Sequence, residues 1–123
     1  MNNTLISKAD QLEKRMVTFA AKIVGLSSRL PKSLQGRHVS AQVLRSGTSA
    51  AANYAEARGA ESRADFIHKL RVVFKELNET TVWLELIGES GLLPKSDTSE
   101  VVGENRELCK IIAASIKTAR DRR

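Results

Sequence analysis

Residues 5–30 read LISKADQLEKRMVTFAAKIVGLSSRL, and their apolar positions decide the fold. Leu5, Ala9, Leu12, Met16, Phe19, Ile23, Leu26 and Leu30 recur at alternating spacings of four and three residues. That period lines them up along one side of an α-helix as a single apolar seam. Pro31 ends it, because the residue before a proline resists the helical region of backbone space. Outward from this segment, Pro31 and Pro94 together with Gly36, Gly59 and Gly91 divide the chain into four stretches of helical length.

The third stretch repeats the pattern with Phe66, Leu70, Val73, Leu77, Thr80, Leu84 and Ile87. Ser62 followed by Asp65 is a capping-box start, Asp65 and Lys69 form an i,i+4 pair, and Gly91 supplies an end. The fourth opens on Asp97 and Glu100 and runs Val101, Leu108, Ile112, Ile116 and Ala119 along one side. The second, from about Ser33 to Ala57, has Val39, Val43 and Ala50 on its core side, yet its middle is Ser46-Gly47-Thr48-Ser49-Ala50-Ala51-Ala52. So many small side chains imply that another backbone approaches closely there, against the weak helix propensity of Gly47 and Thr48. No segment alternates at the two-residue period of a strand. The expected architecture is all-α: one antiparallel up-down-up-down four-helix bundle domain over residues 1–123, with helices at about 5–30, 34–57, 63–90 and 97–120.

Composition excludes several classes. The chain of 123 residues is 41% hydrophobic and 28% charged, within the globular range and too apolar for a wholly disordered chain. A single cysteine, Cys109, rules out an intrachain disulfide and any multi-cysteine metal centre. Apolar runs of a few residues fall far short of the roughly 20 of a membrane span. MNNTLISKADQLEKR has no apolar core of signal-peptide length, so a cytoplasmic protein with no membrane partner is expected.

The net charge of +6 is unevenly distributed. Residues 1–58 carry +6, residues 59–105 carry −4 and residues 106–123 carry +4. Such asymmetry fits an anionic partner or a head-to-tail contact between copies, beside the plainer reading of a solvated surface. In an up-down-up-down bundle, one end collects Lys8, Arg58, Arg63, Lys117, Arg120, Arg122 and Arg123 against Glu56, Glu61, Asp65 and Asp121. The other end holds Arg29, Lys32 and Arg37 but also Glu85, Glu89, Asp97, Glu100 and Glu104.

Catalytic chemistry has little to draw on. Asp65-x-x-His68 is one carboxylate–histidine pair, whereas di-iron bundles use two Glu-x-x-His pairs and two further glutamates; His38 has no carboxylate three residues before it. Ser46, Thr48 and Ser49 lie inside a helix without a neighbouring base, and Cys109 reads as an inert thiol. Phosphate-cradling glycine motifs are absent. No cofactor, metal or catalytic residue is expected, and the protein is not read as an enzyme.

Two features exceed what a lone bundle needs. Val72, Val82, Trp83 and Leu86 lie off the seam of the third helix, interrupting a face of Arg71, Lys75, Glu79 and Glu85, and suggest an oligomer interface. Asn53 and Glu56 sit a turn apart near the end of the second helix. Arg45, two turns earlier, is placed to pair with a carboxylate of another helix, though spacing alone leaves all three equally readable as solvated.

Gln42-Val43-Leu44-Arg45-Ser46-Gly47-Thr48-Ser49 and Ala52-Asn53-Tyr54-Ala55-Glu56-Ala57 closely resemble the signature of a bacterial four-helix bundle family, first met as reading frames in intervening sequences of 23S rRNA genes. The likeness continues through Glu61-Ser62-Arg63-Ala64-Asp65-Phe66-Ile67-His68-Lys69-Leu70, Lys75-Glu76-Leu77-Asn78-Glu79-Thr80 and Trp83-Leu84-Glu85-Leu86. It covers nearly the whole chain, with Ala57 standing where many relatives have glycine. The resemblance implies a homopentameric ring, with Arg45, Asn53 and Glu56 as structural signature residues. It also implies kinship with accessory proteins of diversity-generating retroelements, basic pentamers that bind a reverse transcriptase and nucleic acid. The expectation is therefore a non-enzymatic homo-oligomer that binds RNA or DNA through phosphate contacts. The alternative is a protein-binding adaptor or scaffold ring, for example for a reverse transcriptase.

Overall fold

The structure, a computed structural model, describes residues 7–122; Leu5 and Arg123 lie outside the described residues. Four helices follow one another: α1 Lys8–Arg29, α2 Leu34–Arg58, α3 Arg63–Ser90 and α4 Lys95–Asp121. Each packs on its neighbours in sequence and α4 returns to α1, with no diagonal contact, which is the antiparallel up-down-up-down four-helix bundle. The α2/α3 seam is the most extensive and the α1/α4 seam the thinnest.

Side-chain caps start three of the helices. Ser7, Ser33 and Ser62 accept the backbone N–H of Asp10, Gly36 and Asp65 at 3.0, 3.1 and 3.0 Å. α4 differs from the sequence expectation: it begins at Lys95 behind Pro94, two residues before Asp97, and has no side-chain cap. The Pro94 carbonyl instead accepts the Asp97 N–H at 2.9 Å, and proline's fixed φ suits the start of a helix. Gly91 closes α3 in the left-handed region at φ 73°, while Leu92 N–H donates to the Ile87 carbonyl at 3.1 Å.

The apolar seams form the core. Met16, Phe19, Ile23, Leu26 and Leu30 of the first seam are buried, as are Leu70, Val73, Leu77, Leu84 and Ile87 of α3. The small-residue centre of α2 lets α1 come close. A Cβ on Gly47 would stand 2.7 Å from Ile23 Cγ2 and 2.8 Å from Ile23 Cγ1, so only hydrogen fits beneath the isoleucine. On the other side of α2, buried Ser46 and Thr80 are hydrogen-bonded at 2.9 Å, joining α2 to α3. Asn105, also buried, joins α4 to α3 by donating to the Leu77 carbonyl at 3.1 Å and to Thr81 Oγ1 at 2.6 Å. Its Oδ1 has no partner.

Candidate nucleic-acid interface

Where the charges are engaged determines which remain available to a partner. Along the thin α1/α4 seam, Arg15 grips Glu104 with two hydrogen bonds of 2.7 and 2.8 Å, and Lys22 reaches Glu100 at 2.9 Å. Arg29 lies 4.0 Å from Asp97. The three cations stand seven residues apart on α1, one face of the helix, and meet the acids of α4 in antiparallel order. The Arg15 guanidinium holds the Glu104 carboxyl below its ordinary value despite some desolvation. Across α2/α3, Arg45 donates to Glu76 at 3.0 Å and also to Glu79. Glu79 in turn accepts the Trp83 indole N–H at 3.0 Å. Lys69 reaches Glu56 at 2.8 Å and Lys95 reaches Glu89 at 2.7 Å. The acidic residues 59–105, which the charge count offered to a neighbouring copy, are thus mostly neutralised within the chain; Glu61, Asp65 and Glu85 have no ion-pair partner among the described residues.

At the basic end, Lys8, Arg58, Arg63 and Arg122 rim one groove of about 910 Å³. Phe66, Ile111 and Ala119 are among the apolar residues of its wall. Two of its cations are engaged. Arg58 bridges Asp10 at 2.8 Å and Glu13 at 3.0 Å, fastening the end of α2 to the start of α1, and these hydrogen bonds raise its pKa and lower that of Asp10. Arg63 donates to the Arg122 carbonyl. Lys117 and Arg120 lie outside the groove, and Arg120 is 3.4 Å from Asp121. Arg123 is beyond the described residues.

A second basic surface escapes a reading by helix ends. Cys109 Sγ sits 3.8 Å from Asn78 Oδ1 and marks the outer edge where α3 meets α4. Arg71 and Lys75 precede Asn78 on α3 at helical spacing, and Arg106, Lys117 and Arg120 share the corresponding line of α4. All five are exposed. Among the described residues, no carboxylate lies within ion-pair reach of Arg71, Lys75, Arg106 or Lys117. From Arg106 to Lys117 the row runs about 16 Å along α4 at 1.5 Å per residue. The sequence placed Arg71 and Lys75 only on an off-seam face of the third helix, and nothing in it singled out Arg106. Joining them needed the pairing of α3 with α4.

The remaining candidates divide. Asn53 donates to the Ser49 carbonyl at 2.9 Å and to Ser49 Oγ at 3.0 Å, within its own helix, while Arg45 and Glu56 bind α3. Trp83 is half-buried, its ring edge-on to His38 with centroids 5.9 Å apart, and Val72 is half-buried too. Val82 and Leu86 are 62% and 43% exposed. The sequence reading missed Val17, Val24, Leu34 and Leu44, which are exposed on α1 and α2. His68 is exposed, and no group of three His, Cys, Asp or Glu side chains converges as a metal site among the described residues. Burial raises the Cys109 pKa, which keeps the thiol protonated. No helix among the described residues is long and apolar enough to cross a membrane.

Comparison with known proteins matches residues 8–114 to the model of the 23S rRNA-intervening sequence protein family. A solved structure of a protein of unknown function from the S23 ribosomal protein family of Bacteroides thetaiotaomicron VPI-5482 is 38% identical in sequence. It superposes with a TM-score of 0.81, over 86% of this chain and 98% of that one. Comparison with curated proteins gives no match.

Proposed function

We propose, for a chain that belongs to the 23S rRNA-intervening sequence protein family, a non-enzymatic cytoplasmic role: a homo-oligomer that holds RNA or DNA by its phosphates. One observation carries this reading. Arg71, Lys75, Arg106 and Lys117 form one exposed row across α3 and α4 with no carboxylate in ion-pair reach, whereas nine of the other basic side chains are ion-paired. Lys117 and Arg120 of the basic end continue into that row; Lys8, Arg63 and Arg122 rim the groove beside it. Aromatic side chains for base stacking are few, at 4% of the chain, so contact is to phosphates and weak in sequence preference. Several copies in one assembly multiply the row and raise avidity without any new contact.

Binding to structured RNA, single strands and duplex DNA, measured against salt, tests the proposal. With four phosphates neutralised per copy, the log–log slope is about −3, from roughly 0.7–0.9 per phosphate. Arg71→Ala with Lys75→Ala lowers that slope by about 1.5 and weakens binding across sequences. Lys22→Ala with Arg29→Ala, which removes the same charge from the α1/α4 seam, leaves the slope near its original value. No binding at low salt by the intact protein would end the nucleic-acid reading. A second reading, a protein-binding adaptor, is supported by the 910 Å³ groove, whose apolar wall and basic rim suit an acidic amphipathic helix.

A further inference from the structure

We infer that the open end of the α1/α4 seam is a docking groove for an acidic amphipathic helix of a partner protein, seated on the apolar wall between Lys8 and Arg122 with Tyr54 as its polar anchor. The inference rests on the adaptor reading above and gives it a site and an occupant. The seam changes character along its length. From Arg15 to Arg29 it is drawn together by the ion pairs to Glu104, Glu100 and Asp97. Toward the start of α1 no ion pair joins the two helices among the described residues, because Asp10 and Glu13 are engaged by Arg58 of α2. There a cleft of about 370 Å³, with Leu12 and Tyr54 in its lining, runs into the groove of about 910 Å³. The two share Lys8, Ile111 and Ser115.

Tyr54 of α2 is 5% exposed and lines the smaller cleft. Its hydroxyl has no hydrogen bond to any described residue. Nor is that hydroxyl sealed, since Asn105 Oδ1 is the one side-chain polar atom both buried and unpartnered among the described residues. A hydroxyl on a buried ring that is unbonded within the chain and opens on a cleft is left to an atom from outside. Burial pushes its pKa up, so it stays protonated and has a proton to donate.

Shape and charge together select the occupant. Ile111, Ala114 and Ala119 line the groove along α4, and Phe66 of α3 contributes to the same wall. From Ile111 to Arg122 that wall runs about 16 Å, the length of a three-turn helix at 1.5 Å per residue. Lys8 and Arg122 on the rim have no ion-pair partner among the described residues. An apolar strip between free cations fits a helix with one apolar face flanked by carboxylates, and such a carboxylate is also the acceptor that Tyr54 lacks. Residues 1–6, MNNTLI, hold no carboxylate, so the chain's own start does not match the rim. A second copy offers only Glu61, Asp65 and Glu85 as unpaired carboxylates among the described residues, and they stand at opposite ends of α3. A nucleic-acid strand would answer the cations and leave the apolar wall bare.

Fluorescence anisotropy with the full-length protein tests the groove. The probe is a labelled peptide of about 14 residues, with leucines at i, i+3, i+4 and i+7 and glutamates elsewhere, in about 0.15 M salt. The same peptide with lysine for each glutamate is expected to bind at least about tenfold more weakly. Ala114→Asp, at an exposed position of the groove wall, is expected to weaken the acidic peptide at least about tenfold. Ala113→Asp, its exposed neighbour outside the groove, is expected to change affinity less than about twofold. Tyr54→Phe keeps the ring and removes one hydrogen bond, a loss of about two- to tenfold. Circular dichroism checks that each variant keeps its helices. No binding of the acidic peptide overturns the adaptor reading and this groove with it. Binding that survives Ala114→Asp, or that falls equally with Ala113→Asp, overturns the groove alone, and an unchanged affinity in Tyr54→Phe overturns the anchor. Three results name another occupant and also overturn the proposal: a gain of about tenfold on deleting residues 1–6, displacement of the peptide by an oligothymidylate of about twelve nucleotides, or a loss of affinity as rising protein concentration brings copies together.

Discussion

Adding one methyl group at Gly47 isolates the close approach on which the α1/α2 packing depends. The Cβ of Gly47→Ala would stand 2.7 and 2.8 Å from the two γ-carbons of Ile23, which is fully buried and branched at the clash. Overpacking of this kind costs about 1–3 kcal/mol. It is opposed by the gain of about 1 kcal/mol when alanine replaces glycine inside a helix. The net change at Gly47 alone is therefore a poor measure of the clash. Gly25 and Gly103, both exposed and helical, have nothing within 4 Å of an added Cβ and supply the reference. Gly25→Ala and Gly103→Ala should each stabilise by about 0.5–1 kcal/mol. Gly47→Ala should fall below them by about 1–3 kcal/mol, the overpacking alone. Urea unfolding followed by circular dichroism measures all three, at one protein concentration because assembly shifts apparent stability. Ile23→Ala removes both clashing carbons and leaves only its Cβ, 3.2 Å from the added methyl, so in that background the penalty of Gly47→Ala should largely disappear. A gap under about 0.5 kcal/mol between Gly47→Ala and the reference variants, or no coupling to Ile23, would refute the reasoning.

Arg45→Ala should cost about 1–3 kcal/mol, because Glu76, with its side chain 12% exposed, loses the guanidinium that compensates its burial. Trp83 emission should shift in the same variant, since Glu79 binds both Arg45 and the indole N–H. Acid should weaken the α1/α4 seam. The Glu104 carboxyl is held below its ordinary 4.5 first by its hydrogen bonds to Arg15, so its contribution is complete above the unfolded value and is lost as pH falls through the lowered folded value. Both side chains are partly exposed, which limits the effect to about 0.5–1 kcal/mol. Urea titrations across that acid range should show the loss, and Glu104→Gln should remove it.

The helices follow from local rules. A seam alternating by four and three residues buries itself whichever neighbour covers it, and Ser62, Gly91 and Pro31 mark boundaries through their own backbone and capping chemistry. The close approach at Gly47 was legible for the same reason, since a run of small side chains leaves room for only one kind of neighbour. The charges were not. A sum of +6, −4 and +4 along the chain says nothing about which carboxylate meets which cation. Those meetings depend on the height at which α1 lies beside α4 and α2 beside α3. Packing took Arg58 to Asp10 and Glu13, and left Arg71, Lys75 and Arg106 in a row with Lys117. Periodicity can state which side of a helix a residue occupies. Whether that side faces a partner helix, an opposite charge or water is a long-range property, settled when the four helices find their common register.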